Sequence, residues 1–400
     1  MNITKFKIQN FRSLKEIEVT EFTSTTIFYG ENNAGKSNIL NALNLIFSRK
    51  PKLVSEDTLS QLENFYSGVL RSSQNSFYNN DTSQPIKFEV EIEILKSELS
   101  INTEIESLFK TGTSFKFAFS GSIKFVDFSE LDYSEFKIET ILKGKDVLYS
   151  NNTDISYFPS FDKKRSKQAQ LEKAFTQLVD IFNDCVYVVG SDRDMHETTL
   201  LGEDVNYLSP KTFKKFLYSL YLSPKKFVLF EQINSVYSNP PFSFGTISFS
   251  DDNGKLEIMI KEKDIRLPIK YLGSGALQSL YIISSIICNK GKIVCLEELE
   301  QNLSPRKQFE ILNKVQGMIK DPKLSLTQLI ISSHSSVYAK PKLGTIYFLE
   351  KKDGKTTINS KETKKISKKM QGHLAPSQGE WDESQMKEIK RILKEEHDFE

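Results

Sequence analysis

The stretch IFYGENNAGKSNIL occupies residues 27–40. It satisfies the pattern GxxxxGK[ST], with an apolar strand-like run before it and an amphipathic helix pattern after it. The glycines let the backbone wrap closely around a phosphate, Lys36 offers a charge to the β- and γ-phosphates, and Ser37 offers a hydroxyl to Mg²⁺. The predicted phosphate cradle comprises Gly30, Asn32, Asn33, Ala34, Gly35, Lys36, Ser37 and Asn38. The alternative is a chance Gly-rich turn between a strand and a helix.

A second stretch, IVCLEELEQNLSP at residues 293–305, ends an apolar strand in acidic residues. A carboxylate at the end of a buried strand beside a phosphate loop can hold Mg²⁺, and an adjacent carboxylate can polarise the attacking water. Glu297 fits the first role and Glu298 the second. Taken alone, the stretch favours the simpler interpretation of an acidic exit from a strand.

Two further stretches follow the same logic. LGSGALQSL, residues 272–280, places small residues at the start of a helix, which is a potential anion site. TQLIISSHSS, residues 327–336, reads as a strand followed by His334, whose imidazole could donate to a γ-phosphate oxygen. A lone histidine after a strand is more often structural, but this one comes in order after the other three motifs.

This ordered set resembles the ATP-binding-cassette (ABC) class of ATPases, in its SMC/RecF/OLD branch. In chain order, residues 5–14 (KFKIQNFRSL) resemble the branch's opening strand motif, 30–37 the Walker A motif, 272–278 the signature motif, 293–298 the Walker B motif with the catalytic glutamate, 300–305 the D-loop, and His334 the switch histidine. The matching regions are 1–95 and 241–350.

The resemblance implies a role for each matching residue. Glu298, His334 and Lys36 would be catalytic, and Ser37 with Glu297 would hold Mg²⁺, so the implied cofactors are ATP and Mg²⁺. The nucleotide-binding set would include the phosphate cradle together with Arg12, Gly273, Ser274 and Gly275. Arg12 has the alternative role of a surface charge.

The sequence also departs from the pattern of this branch. Leu299 stands where the branch commonly has proline, and Gly273 replaces the first signature serine, which leaves Ser274 to reach the phosphate. Gln74 and Gln84 are candidates for the Q-loop glutamine by position only. In the loop SDRDMHE (191–197), Arg193 resembles an arginine of OLD-like heads, whereas His196 reads as loop surface.

In this class the signature helix of one subunit closes over the ATP held by another. One P-loop and one signature motif therefore imply a homodimer, or a higher homo-oligomer, with composite sites.

The predicted fold class is α/β: an ABC-ATPase head with a P-loop parallel sheet, an antiparallel β subdomain and a compact, mostly helical insertion. The predicted divisions are lobe I with Walker A at 1–95, an insertion or helical subdomain at 96–240, lobe II with the signature, Walker B and switch histidine at 241–350, and a Lys-rich linker with a C-terminal helix at 351–400.

The insertion helps to choose among branches. It contains no sustained heptads, which disfavours long coiled-coil arms. About fifty residues follow the last core strand, too few for the TOPRIM nuclease domain of OLD proteins. The chain thus resembles the ATPase subunits of two-gene phage-defence systems such as PARIS and Septu, which control a separate nuclease or TOPRIM effector.

Two alternatives concern the biological role. A RecF-like ATPase would bind double-stranded DNA during repair or recombination, and a phage protein is another candidate partner. A scaffold that binds ATP without hydrolysing it is disfavoured by the intact Lys36 and Glu298.

Composition limits the remaining choices. The chain has 400 residues and a net charge of +2, so it is not a polycation, and DNA contact would need a local patch. Its three cysteines, Cys185, Cys288 and Cys295, show no zinc-site spacing and read as reduced thiols. No apolar run approaches about 18 residues, and the start has no signal-peptide pattern. We therefore expect a soluble, cytoplasmic protein with no membrane partner.

Overall fold

The computed structural model describes residues 1–47, 76–95, 114–125, 131–143, 146–150, 182, 185–191, 208–210, 212–240, 242–252, 255–289, 292–320, 327–338 and 344–359. Parts of the predicted insertion at 96–240 and most of the predicted tail at 351–400 lie outside these residues. Gln74, Arg193 and His196 also lie outside them.

The described residues form fifteen strands and five α-helices. In chain order the strands are β1 (Asn2–Phe11), β2 (Leu14–Val19), β3 (Thr25–Tyr29), β4 (Ile86–Leu95), β5 (Ser114–Phe125), β6 (Leu131–Lys143), β7 (Asp146–Ser150), β8 (Val186–Val189), β9 (Thr246–Asp252), β10 (Lys255–Glu262), β11 (Ile265–Pro268), β12 (Ile293–Glu297), β13 (Gln328–Ser333), β14 (Thr345–Lys352) and β15 (Lys355–Asn359). The helices are α1 (Lys36–Phe47), α2 (Phe213–Leu222), α3 (Phe227–Ser238), α4 (Ser274–Cys288) and α5 (Pro305–Lys320).

A mostly parallel sheet of six strands carries the motif residues at its strand ends. Its order is β15-β14-β3-β13-β12-β8, and only the pair β14–β15 is antiparallel. Glu297 is in register with Ser332, and Ser333 with Tyr29, so β3, β12 and β13 end at one edge. The loops that carry the P-loop, the paired glutamates and the histidine therefore leave the sheet side by side.

Both faces of this sheet are buried, which explains the continuous apolar runs of its central strands. One face, with Phe28 and Ile330, belongs to a core shared with α1 and the antiparallel strands. The other face, with Ile27 and Ile331, packs in a second core with α2 to α5. Helix α4 is buried from Ala276 through Ile287, because it lies inside this second core.

A second sheet is antiparallel and has the order β2-β1-β4-β5-β6-β7. The sequence IKFEVEIEIL of β4 alternates between buried and more exposed positions, which is the pattern of a strand with one face in the core. The described part of 96–240 is less helical than the sequence predicted. Strands β5 to β7 extend the antiparallel sheet because SFKFAFSGSIKF in β5 also has the alternation of a strand, and β8 joins the parallel sheet.

A third sheet, with the order β11-β10-β9, precedes α4. A hairpin joins β9 and β10, with Asp252 opposite Lys255, while Asn253 and Gly254 lie outside the described residues. Together the three sheets and the helices confirm the predicted α/β class, with a mostly parallel sheet and antiparallel sheets. None of the described helices is both long enough and apolar enough to span a membrane.

Candidate functional site

The loop between β3 and α1 follows a close path around the strand ends. The Gly30 N–H donates to the Ser333 carbonyl at 3.3 Å, which ties the loop to the end of β13. A Cβ on Gly30 would collide with the Leu349 carbonyl, and Gly35 has a φ of +97°, so both positions suit only glycine. Asn33 also has a positive φ of 66°. Of the remaining cradle residues, Asn32 is exposed, Ala34 is buried, and Ser37 and Asn38 are half-buried.

The Lys36 ammonium is folded back into this loop. Its Nζ donates to the carbonyl oxygens of Gly30 at 2.9 Å and of Glu31 at 2.7 Å, and the residue is 5% exposed. Burial lowers the pKa of Lys36, although Glu300, Glu298, Glu297 and Glu31 oppose that shift in decreasing order. A buried cation thus faces several carboxylates at the start of α1.

Glu297 and Glu298 lie at the same edge. The Glu297 carboxylate accepts a hydrogen bond from the backbone N–H of Ser191 at 3.2 Å. The backbone N–H of Glu298 donates to the Ser332 carbonyl at 2.9 Å, and its φ of 47° is unusual for a residue with a side chain. Such strained backbone clusters at functional sites. Both predicted carboxylates therefore lie near enough to Lys36 to favour its charged form.

His334 is held by the carboxylate of Glu300, a residue predicted as part of the D-loop. Glu300 Oε1 accepts the His334 backbone N–H at 2.7 Å and lies 3.0 Å from His334 Nδ1. The Glu300 side chain is 6% exposed, whereas that of His334 is 43% exposed. Residues 300–305 were predicted as a D-loop, but the Glu300 side chain points into its own chain, where it accepts the His334 backbone N–H and lies beside the imidazole.

Arg12 lies over the helix that follows the P-loop. Its Nη1 donates to Asn38 Oδ1 at 3.4 Å, and its guanidinium lies 5.4 Å from the centre of the Phe11 ring. Burial lowers the pKa of Arg12, and the nearby Glu297 opposes that shift. These contacts differ from those of a surface charge, which was the alternative.

The signature residues form a separate group. Gly273 has a φ of +89° and open space around it, and Ser274 is exposed at the start of α4. Gly275 is tightly packed, because a Cβ there would lie 2.9 Å from the Asn302 carbonyl. In the described part of the chain, no hydrogen bond or ion pair joins these three residues to the P-loop or to the paired glutamates.

Three residues near the site were missed as contributors by the sequence analysis. Glu300 was visible as a third acid, but no spacing rule pairs it with a histidine 34 positions away. Ser13 and Thr356 hydrogen-bond each other at 2.7 Å beside the P-loop across 343 positions of sequence, so no local pattern could indicate them. Gln84, a Q-loop candidate, accepts a hydrogen bond through its backbone carbonyl. The donor is the side-chain amide of Asn10, near the end of β1, at 2.6 Å.

The oxygen donors at this edge fit a hard cation that keeps most of its water. No group of three or more His, Cys, Asp or Glu side chains placed to hold a metal occurs among the described residues. Mg²⁺ in phosphate sites usually takes one or two protein oxygens and completes its shell with phosphate and water. The Ser37 hydroxyl and the Glu297 carboxylate are donors of this kind.

The chain matches one family model and is similar to two known proteins. A family model described as "AAA domain, putative AbiEii toxin, Type IV TA system" matches residues 25–338. A Helicobacter pylori protein named "ATP/GTP phosphatase" is 22% identical over 357 residues, which cover 84% of this chain and 86% of that protein. An uncharacterized protein of Methanocaldococcus jannaschii is 43% identical over 51 residues, 13% of this chain and 15% of its own.

Among solved structures, an SMC head bound to the C-terminal winged-helix domain of ScpA is similar in fold. It is 15% identical, covers 92% of this chain and 100% of its own, and superposes with a TM-score of 0.50. The SMC head is thus a structural neighbour of the sheets and helices described above.

Proposed function

Because this chain belongs to the AAA-domain family whose model it matches and is an ATPase with an SMC-head-like fold, we propose that ATP binds on the loop 30–37 and is hydrolysed at the adjoining strand ends. One observation carries the proposal. Three separate segments place Lys36, Glu297, Glu298 and the Glu300–His334 pair at one edge of the parallel sheet.

The chemistry follows from the charges at this edge. The loop N–H groups and Lys36 bind the phosphates, and Arg12 adds charge from the β1–β2 turn. Glu298 accepts a proton from the water whose oxygen attacks the γ-phosphorus, while the bond to the ADP oxygen breaks. His334, oriented by Glu300, donates a hydrogen bond to the γ-phosphate. Ser37 and Glu297 would hold Mg²⁺, which offsets phosphate charge.

The signature residues give a reason for two chains to act together. Ser274 is exposed, and Gly273 has open space around it, so this helix start is accessible to a ligand that another chain presents. We place the Gly273, Ser274 and Gly275 segment of one chain against the ATP bound by its partner, in a head-to-tail homodimer. Hydrolysis then removes the γ-phosphate contacts, and the two chains separate.

The division of the chain stays a proposal as predicted: lobe I at 1–95, an insertion at 96–240, lobe II at 241–350 and a tail at 351–400. The biological role is proposed from the resemblance alone. The ATPase would control a separate nuclease or TOPRIM effector in anti-phage defence. Stable co-purification with such an effector supports this role, whereas ATPase stimulation by double-stranded DNA with steep salt dependence would support RecF-like work instead.

The direct test uses the purified chain and three single variants. We expect Lys36→Ala to lose ATP binding, and Glu298→Gln to bind ATP but hydrolyse it at least about a hundredfold more slowly. The matched control is Glu262→Gln, an exposed residue on β10, which should keep the wild-type rate. A Glu298→Gln variant as fast as the control, or a wild type without hydrolysis, contradicts the proposal.

A further inference from the structure

A chain of buried hydrogen bonds ties the last described hairpin to the P-loop. Thr356, on β15, is fully buried, and Ser13, in the β1–β2 turn, is 7% exposed. Thr356 Oγ1 donates to the Ala34 carbonyl at 3.1 Å and lies 2.7 Å from Ser13 Oγ. The Thr356 backbone N–H also donates to the Ser13 carbonyl at 2.9 Å. Thr356 therefore contacts both the loop and the turn that carries Arg12.

The donor directions in this chain follow from the groups at its two ends. The Asn38 amide nitrogen can only donate, and it donates to Ser13 Oγ at 2.8 Å. The Ala34 carbonyl can only accept, so the Thr356 hydroxyl proton points towards it. The Ser13 hydroxyl consequently donates to Thr356 Oγ1. All three hydrogen bonds run in one direction, and each hydroxyl uses its single proton.

The same two hydroxyls lie against the backbone of the phosphate loop. A Cβ added to Gly35 would overlap Thr356 Oγ1 and would lie 2.9 Å from Ser13 Oγ. The glycine allows this approach, so the path of the loop at 34–35 and the position of these hydroxyls depend on each other. At its other end the network reaches Arg12, which donates to Asn38 Oδ1.

We propose that Thr356 and Ser13 are positioning residues for ATP binding. They hold the Ala34 carbonyl and the Asn38 amide in place. The Ala34 carbonyl in turn fixes the path of the loop N–H groups, and the Asn38 amide fixes the Arg12 guanidinium. Both residues lie outside the stretch 25–338 that the family model matches. The role rests on the proposed function, because it requires that ATP binds to the loop 30–37.

The proposal predicts which kinetic constant changes. The loop and Arg12 contact phosphates before and during the reaction, so loosening them weakens ground-state and transition-state binding alike. Thr356→Val keeps the shape and removes the hydroxyl, which leaves the Ser13 hydroxyl and the Ala34 carbonyl without their partner. We expect KM for ATP to rise about tenfold, with kcat within about twofold of wild type.

The test compares Thr356→Val with Thr356→Ser and with Thr357→Val in the full-length chain. Serine keeps the hydroxyl and should restore KM to within about threefold of wild type. Thr357 is the matched control on the same strand, because its hydroxyl donates to the Glu350 carbonyl within the hairpin and not to the loop. A control that raises KM as much as Thr356→Val would assign the effect to the hairpin alone.

Further outcomes separate this proposal from the proposed function. If wild type hydrolyses ATP, Lys36→Ala abolishes binding and Thr356→Val leaves KM unchanged, only the positioning role is wrong. If wild type does not bind ATP, the proposed function itself is wrong. Should Thr356→Val fail to fold, Ser13→Ala tests the same network from its other member, and an unchanged KM in that variant overturns the positioning role.

Discussion

Lys36 shows, at the scale of single residues, that the site is built for a ligand. Burial lowers the pKa of its ammonium group, even though four carboxylates nearby favour the charge. The charged form is therefore less favourable in the folded chain than in the unfolded chain. A residue that carries such a cost serves binding rather than stability.

Replacing this charge should stabilise the protein without nucleotide. We expect Lys36→Met to raise the free energy of unfolding at pH 7, because the methionine avoids burying an ammonium group. The pKa of Lys36 is lower in the folded chain than its ordinary value of 10.5, so the unfolded chain binds more protons between these two values. The free energy of unfolding of wild type should therefore approach that of the variant as pH rises through the lowered pKa towards 10.5.

Denaturant unfolding at pH 7 and at pH 9.5 measures both effects. Lys225→Met is the matched control, because Lys225 is exposed in the turn between α2 and α3. A Lys36→Met protein that is less stable than wild type at pH 7, or a gap that widens with pH, would contradict the assignment.

At this scale the sequence predicted the residues whose chemistry is set by local spacing. Lys36, Glu297, Glu298 and His334 were assigned from motifs, and the structure brings them to one edge. The pairing of Glu300 with His334 could not be predicted, because the two residues meet only when β12 and β13 are paired.

At the scale of elements, Gln328 joins the two large sheets. It begins β13 and is fully buried. Its amide accepts the Ile3 backbone N–H at 2.9 Å and donates to the carbonyls of Ile3 at 2.9 Å and Thr23 at 3.0 Å. The amide thus connects the parallel sheet to β1, the strand that ends beside Arg12.

Removing this amide should cost more stability than a surface change of the same kind. Gln328→Leu leaves the Ile3 N–H and two carbonyls without partners, and we expect a loss of about 2–4 kcal/mol in the free energy of unfolding. Gln9→Leu is the control, since the Gln9 amide donates to the exposed Glu16, and it should stay within about 0.5 kcal/mol. Equal losses in the two variants, measured by urea unfolding, would show that the buried amide does not join the sheets.

The elements with strong periodicity were predictable, and the others were not. The strand–helix alternation of β12, α5 and β13 follows from regular apolar spacing along the chain. Strands β5 to β7 were missed. Strand β5 alternates as a strand does, but the order β4-β5-β6-β7 depends on pairing across the sheet, which alternation alone does not specify.

At the scale of the whole molecule, no hydrogen bond or ion pair joins the P-loop group to the signature group among the described residues. Lys36 and the carboxylates share one edge of the parallel sheet, while Ser274 is exposed at the start of α4. If both groups act on one ATP, a second copy of the chain must supply one of them. The proposed head-to-tail dimer meets this requirement.

Complementation between two inactive variants tests the head-to-tail dimer. Lys36→Ala removes the P-loop group of one chain, and Ser274→Arg blocks the signature group of the other. Each variant alone should lack ATPase activity. In an equal mixture, about half of the dimers are mixed, and each has one composite site with Lys36 from one chain and Ser274 from the other, so we expect about a quarter of the wild-type rate. A mixture no faster than the sum of the two separate variants would contradict the head-to-tail dimer.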